Sequence, residues 1–186
     1  MKEYPITIGI DDAQFDFRSN AKTTKLIGVV CQGTRMVRVV GEDIEIDGND
    51  ATEKLIKLVN KVEKHVQYIL TQTITFGGFN LVDLERIHNK TKKPVIAFTE
   101  SEPDFESVIT ALKMKFPRTY QNKMKKILAA GNLFEADIET AGGISKIFFH
   151  RKGIDLNEIE SLLNKICIDS KLPEPVRMAH LIGKLF

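Results

Sequence analysis

Asp50-Ala51-Thr52-Glu53-Lys54-Leu55-Ile56-Lys57-Leu58-Val59 is the stretch at which this chain changes period. Before it, apolar residues alternate or run in short blocks, as strands require. From it onward Leu55, Ile56, Leu58, Val59 and Val62 fall at helical spacing. Asp50 and Glu53 occupy the N-cap and N3 positions of a capping box, so a helix is predicted to begin here. Working backward, residues 5–11 alternate and lead into Gly9-Ile10-Asp11-Asp12, a predicted strand, and residues 12–24 are polar and read as a loop. Residues 25–32 (KLIGVVCQ) form a near-continuous apolar run, a predicted buried strand. Gly33-Thr34 closes a hairpin to Met36–Val40, and Gly41-Glu42 is expected to interrupt that strand before Ile44–Asp47. Three early strands with short connections imply an antiparallel meander.

Working forward, 66–71 reads as a strand, 81–88 as a helix and 94–99 (PVIAFT) as a short buried strand. Pro103 opens a helix through Lys115, and Pro117 opens a second that Gly131 ends. Residues 133–139 and 144–150 pair around Gly142-Gly143, Asp155 caps a helix through Ile166, and a last helix starts near Glu174. Strand-helix-strand alternation requires parallel pairing. A meander feeding such units gives an α/β fold: a mixed sheet with helices on both faces. That is the ribonuclease H-like architecture, although a generic α/β sandwich fits the same pattern. No repeat, low-complexity tract or linker divides the chain, so residues 1–186 are expected to form a single domain.

Hydrophobic residues make up 42% of the 186 and charged residues 28%, the balance of an ordinary soluble globular protein. The net charge of +2 is too mild to argue for nucleic acid by itself, yet it permits local basic patches. Cys31 and Cys167 lie in apolar surroundings and are expected to be reduced thiols. No CxxC or clustered Cys/His pattern points to structural zinc. There is no apolar leader and no run long enough to span a bilayer, so a cytoplasmic protein with no membrane partner is expected.

Leu172-Pro173-Glu174-Pro175-Val176-Arg177-Met178-Ala179-His180-Leu181 carries the chemistry at the far end. Its second proline sits where a helix begins, and Arg177 and His180, three residues apart, share one helical face. A strand-end aspartate (Asp11) and a distant helical histidine are parts from which a divalent-metal nuclease site can be built.

Four stretches together resemble a known family. They are Gly9-Ile10-Asp11-Asp12-Ala13 with Phe15, Ile46-Asp47-Gly48-x-Asp50-Ala51-Thr52-Glu53-Lys54-Leu55, Ile74-Thr75-Phe76-Gly77-Gly78-Phe79-Asn80-Leu81-Val82-Asp83, and Pro173-Glu174-Pro175-x-Arg177-x-Ala179-His180-Leu181. They are similar to the archaeal DUF99 (UPF0215, "endonuclease dU") family, itself related to endonuclease V. The resemblance runs almost the full length and implies a ribonuclease H-like fold and a metal-dependent nuclease acting near deaminated bases, inosine or uracil. It implies that Asp11 binds the metal and that His180 lies near it. Asp50 is the match to a helix-start acid, with Asp47 and Glu53 as rivals. Endonuclease V also carries an aspartate at the end of its fourth strand. Here the corresponding stretch is Ile69-Leu70-Thr71-Gln72-Thr73, without an acid, and Asp83 substitutes only if its helix turns toward the site.

The chemistry expected of these residues is phosphodiester hydrolysis with Mg²⁺ or Mn²⁺. Asp11, Asp50, Asp47 and His180 are the candidate metal ligands, and Asp11, Asp50 and His180 the candidate catalytic groups. Asp12, next along the strand, should point to the opposite face. Phe76, Gly77, Gly78, Phe79, Asn80 and Arg177 are the candidate substrate-binding residues. The glycines would allow close backbone approach, the phenylalanines stacking on a displaced base, and Asn80 a hydrogen bond to a base edge or a cap on the next helix. Two lysine clusters, 90/92/93 and 123/125/126, would meet phosphates. Each residue also has an ordinary structural reading. Asp11 would cap a loop, Asp50 a helix, and Asp47 a turn beside Gly48. The phenylalanines would be core residues, the lysines a solvated face, and Arg177 would pair with Glu174 on its own helix. His65, His88 and His150 carry no motif.

Three functions compete. The first is a metal-dependent endonuclease acting on nucleic acid, DNA ahead of RNA. The second is a non-catalytic nucleic-acid binder that kept the fold and lost a metal ligand. The third is a small-molecule enzyme, for which neither GxGxxG nor GxxxxGK[ST] is present. Oligomeric state is not legible in the sequence.

Overall fold

The computed structural model describes residues 2–16, 18 and 20–186. The meander is β1 (Ile6–Asp12), β2 (Thr23–Gln32) and β3 (Arg35–Glu45), followed by α1 (Ala51–Asn60) and β4 (Tyr68–Gln72). A small ribbon of β5 (Thr75–Phe76) and β6 (Asn80–Leu81) leads into α2 (Leu84–Thr91) and β7 (Val95–Thr99). Next come α3 (Phe105–Lys115), α4 (Tyr120–Ala129), β8 (Phe134–Thr140), β9 (Gly143–Lys152), α5 (Leu156–Ile166) and α6 (Glu174–Gly183).

Among the described residues, seven strands form one sheet in the order β3-β2-β1-β4-β7-β9-β8. β1 pairs antiparallel with β2 and parallel with β4, β4 pairs parallel with β7, and β9 runs antiparallel to both β7 and β8. This is the mixed sheet expected from the period change. Alternation along the strands sorts the core into two layers. Ile8, Ile10, Ile69 and Ala97 pack with α1 and α2 on one face. Leu70, Ile96 and Phe98 pack with α5 and Val176 of α6 on the other.

Three local expectations are corrected. β3 runs unbroken through Gly41, because Ile27 on β2 pairs with it; the irregularity in that ladder lies instead between Val30 and Cys31. α2 begins at Leu84, three residues later than expected, because Asn80–Leu81 is held in the ribbon and the Asp83 carboxylate accepts from the Arg86 N–H at 2.9 Å. The box at Asp50 does not form. Asp50 makes no side-chain cap bond, and the Ala51 N–H donates instead to Asn80 Oδ1 at 2.9 Å. The helix is where its periodicity puts it, but its cap comes from another segment.

Lys123 is the polar centre of the face that carries α4. It is 3% exposed, and its ammonium donates to the carbonyls of Asp47 (3.3 Å), Gly48 (3.1 Å) and Phe79 (2.7 Å). Burial lowers its pKa, with the charge of Lys126 adding to the effect. It ties the turn after β3 to the ribbon and is no phosphate contact. Lys126 donates likewise to the Leu81 carbonyl at 3.3 Å. Lys123→Met would leave three carbonyls without their donor. The expected loss is about 2–3 kcal/mol, read as a lower urea midpoint; an unchanged midpoint would contradict this assignment.

Candidate active site

Asp11 and Asp12 end β1 at the edge where the parallel pair β1/β4 opens, the place at which such sheets form ligand crevices. Asp11 faces α6. It is 5% exposed, and its Oδ2 lies 2.8 Å from His180 Nδ1. Burial pushes the Asp11 carboxyl up to about 7 and the negative charge of Asp12 adds to this; the His180 contact works the other way. Asp12 leaves the strand on the other side, as alternation predicts, but at the strand end its carboxylate still borders the same crevice as Asp11, and its Oδ2 accepts the Gly77 N–H at 2.7 Å. Its carboxyl is also raised, chiefly by burial, against the pull of that N–H.

The two carboxylates and His180 line an open crevice of about 650 Å³ together with Gln72, Thr73 and Lys184. Lys184 follows His180 by four residues and so lies one helical turn along the same face. Thr73 has φ +75°, unusual for a β-branched residue. Its N–H donates to the Phe98 carbonyl at 2.6 Å, and its own carbonyl accepts from Thr71 Oγ1 at 2.7 Å. Two hydrogen bonds thus hold a strained residue at the crevice wall, a pattern common at functional sites.

What brings α6 close enough is glycine. A Cβ on Gly9 of β1 would stand 2.1 Å from the Pro175 carbonyl carbon and 2.3 Å from the Val176 nitrogen. A Cβ on Gly183 would meet the Asp12 carbonyl oxygen at 2.7 Å. Both ends of the helix therefore rest directly on strand backbone.

The sequence profile described as Endonuclease dU matches residues 6–186. The chain belongs to that family. A UPF0215 protein of Thermococcus sibiricus is 35% identical over 180 residues, covering 95% of this chain and 89% of the relative. A crystal structure of a protein from Archaeoglobus fulgidus is 32% identical, with a TM-score of 0.81, and 96% of each chain is covered. The endonuclease V of Ciona intestinalis, solved with a 24mer DNA containing an inosine followed by a ribo-adenosine, has a TM-score of 0.60 at 13% identity; 95% of this chain and 83% of that one are covered. At that identity the likeness concerns the fold, which is ribonuclease H-like.

In this member of the endonuclease dU family the anticipated site residues separate into two groups. Asp11 and His180 meet. Asp50 does not line the crevice: its Oδ1 accepts from Asn80 Nδ2 at 2.7 Å and from the Glu45 N–H at 3.2 Å. Asp47 is also elsewhere, in a left-handed turn (φ +57°), accepting the Phe79 N–H at 3.0 Å and paired with Lys115 at 2.5 Å. Glu53 pairs with Arg86 at 2.7 Å, and Asp83 caps α2. The four-residue ligand set is therefore not assembled. Among the described residues no three His, Cys, Asp or Glu side chains are grouped to hold a metal ion.

The substrate-binding set divides similarly. Arg177 grips Glu174, itself 3% exposed, through Nε at 3.0 Å and Nη2 at 2.6 Å, so it serves the start of α6 rather than a phosphate. Asn80 is fully buried as a cross-link between the Ala51 N–H, the Glu45 carbonyl and Asp50, and it reads no base. Phe76, 1% exposed, belongs to the core. Gly77 uses its positive φ to aim an N–H at Asp12, and Gly78 opens on the crevice. Phe79 is half-buried, edge-on to Phe116 at 5.8 Å, and lines a second, apolar cavity of about 200 Å³ with Phe98 and Phe105. Thr73 and Thr75 belong to the walls of both cavities.

Sequence reasoning gave no site role to Lys184 or Thr73 and treated Gln72 only as a missing acid. Lys184 had a usable signal, its four-residue spacing from His180. The conformation of Thr73 had none. No helix among the described residues is long and apolar enough to cross a membrane.

Proposed function

We propose that this protein is a divalent-metal-dependent endonuclease that hydrolyses a phosphodiester bond beside a deaminated base, uracil or inosine, in nucleic acid, DNA ahead of RNA. The observation that carries the reading is the Asp11–His180 pair, buried on the strand side and open on the crevice side, in a chain of the endonuclease dU family. The donors present suit Mg²⁺ or Mn²⁺, which take one or two carboxylates and leave other positions to water and phosphate. Asp11 and Asp12 would hold the ion, and Gln72 offers a buried oxygen with no partner of its own. Such an ion lowers the pKa of bound water and offsets charge developing on phosphate.

The remaining work belongs to the chain. Ionised Asp11 can only accept, so it fixes the proton on His180 Nδ1 and leaves the other ring nitrogen to exchange a proton with water or the leaving oxygen. Lys184 faces the phosphate charge. The apolar cavity beside Phe79 offers an extruded base an aromatic wall.

The test is a nicking assay on labelled oligonucleotides carrying deoxyuridine, deoxyinosine or their ribose counterparts, with Mg²⁺, with Mn²⁺ and with chelator. Cleavage near the modified base that chelator abolishes is expected. The scarcity of carboxylates around the crevice favours one rival, a nucleic-acid binder without turnover. Salt-dependent binding with no cleavage under any metal would establish that rival and end the present reading.

A further inference from the structure

Gln72 is the last residue of β4, and the parallel register pairs Ile10 with Thr71, one residue earlier on each strand. Gln72 thus follows β4 to the position beside Asp11, on the same face of the sheet. Leu70, two residues before it, is in the α5/α6 layer, where Gly9 meets α6. Its Oε1 is buried and has no hydrogen-bond partner in the protein. A buried oxygen left unpaired destabilises the fold, so it calls for an explanation. The acidic groups that share its crevice, Asp11 and Asp12, offer only acceptors when ionised. Such a set of oxygens is satisfied together by a hard cation, for which amide carbonyls are ordinary ligands.

We propose that Gln72 Oε1 is a neutral third protein ligand for the divalent cation held by Asp11 and Asp12. The inference rests on the metal-dependent reading and deepens it. Two carboxylates balance the charge of one divalent ion, and the amide adds an oxygen without adding charge. Affinity should therefore respond to the charge at position 72.

Mn²⁺ alone is the probe. Free Mn²⁺ is titrated by electron paramagnetic resonance against the parent chain, Gln72→Met and Gln72→Glu, and each chain's melting temperature is taken in chelator. Gln72→Met keeps the length of the side chain and removes the oxygen. It is expected to weaken Mn²⁺ binding about tenfold with a melting temperature unchanged or higher, because an unpaired buried group has gone. Gln72→Glu is expected to bind Mn²⁺ about tenfold more tightly than the parent. If the parent binds Mn²⁺ and both variants bind it equally well, Gln72 is no ligand while the metal site stands. If the parent binds no Mn²⁺, the metal reading fails and the role of Gln72 falls with it.

Discussion

Asp11→Asn is expected to lower metal-dependent cleavage at least about a thousandfold, equivalent to roughly 4 kcal/mol in the barrier, without unfolding the protein. The amide keeps the shape of the carboxylate but loses the charge that would attract the cation and fix the His180 proton 2.8 Å away. Stability should move the other way. The folded Asp11 carboxyl sits at about 7, against an ordinary value of 3.8. Between those two pH values the folded chain keeps a proton that the unfolded chain has lost, so stability falls as pH rises through that window. At pH 8 the ionised group is a burden on the fold that asparagine removes. Asp11→Asn should therefore melt at or above the parent temperature at pH 8, and the difference should narrow toward pH 4. Activity retained within tenfold would remove Asp11 from the site. A collapsed melting temperature would show that its role is structural.

Gly9→Ala is expected to be the most damaging small substitution in the sheet, with a loss of about 3 kcal/mol or more. Its methyl would lie 2.1–2.3 Å from backbone atoms of Pro175 and Val176, and backbone at a helix start cannot step aside as a side chain can. The helix must lift from β1 or the strand must bend, and either movement separates His180 from Asp11. The variant should show a lower urea midpoint together with lost cleavage. Gly41→Ala on β3 is the control, since the nearest atom to its added Cβ is 3.6 Å away; its stability should stay within about 0.5 kcal/mol of the parent. If Gly9→Ala behaved like Gly41→Ala, the close contact between strand and helix would be refuted.

The features read correctly from sequence were those set by short-range pattern. The switch from period two to helical spacing near residue 50 placed α1, and the Pro175 start placed α6. The Ile8–Asp12 run put an aspartate at the strand end, and the resemblance joined it to His180. The errors have a common cause, which is competition from partners far along the chain. Asp50 has the composition of a cap, but Asn80, 30 residues later, supplies the oxygen to α1 and takes the Asp50 carboxylate for itself. Asp47 is bound to the ribbon and to Lys115, and Lys123 disappears beneath the same turn. No local pattern announces such cross-links. Arg177 was legible as one of two alternatives, and its three-residue spacing from Glu174 decided between them. Gln72 was visible in the sequence as a departure, and its unpaired oxygen only in three dimensions.

Helix α6 comes after the other described elements in chain order, yet it completes the site opened by the first strand, across a separation of 169 residues. Chains are made from the N-terminus and begin to fold as they emerge. Until α6 is made, then, a growing copy carries the acidic pair on β1 but not His180, with the groove over Gly9 uncovered. A copy in which α6 has not yet docked lacks the Asp11–His180 pair. The two halves of the crevice wall therefore come together in one event, the docking of α6 on the glycine of the first strand.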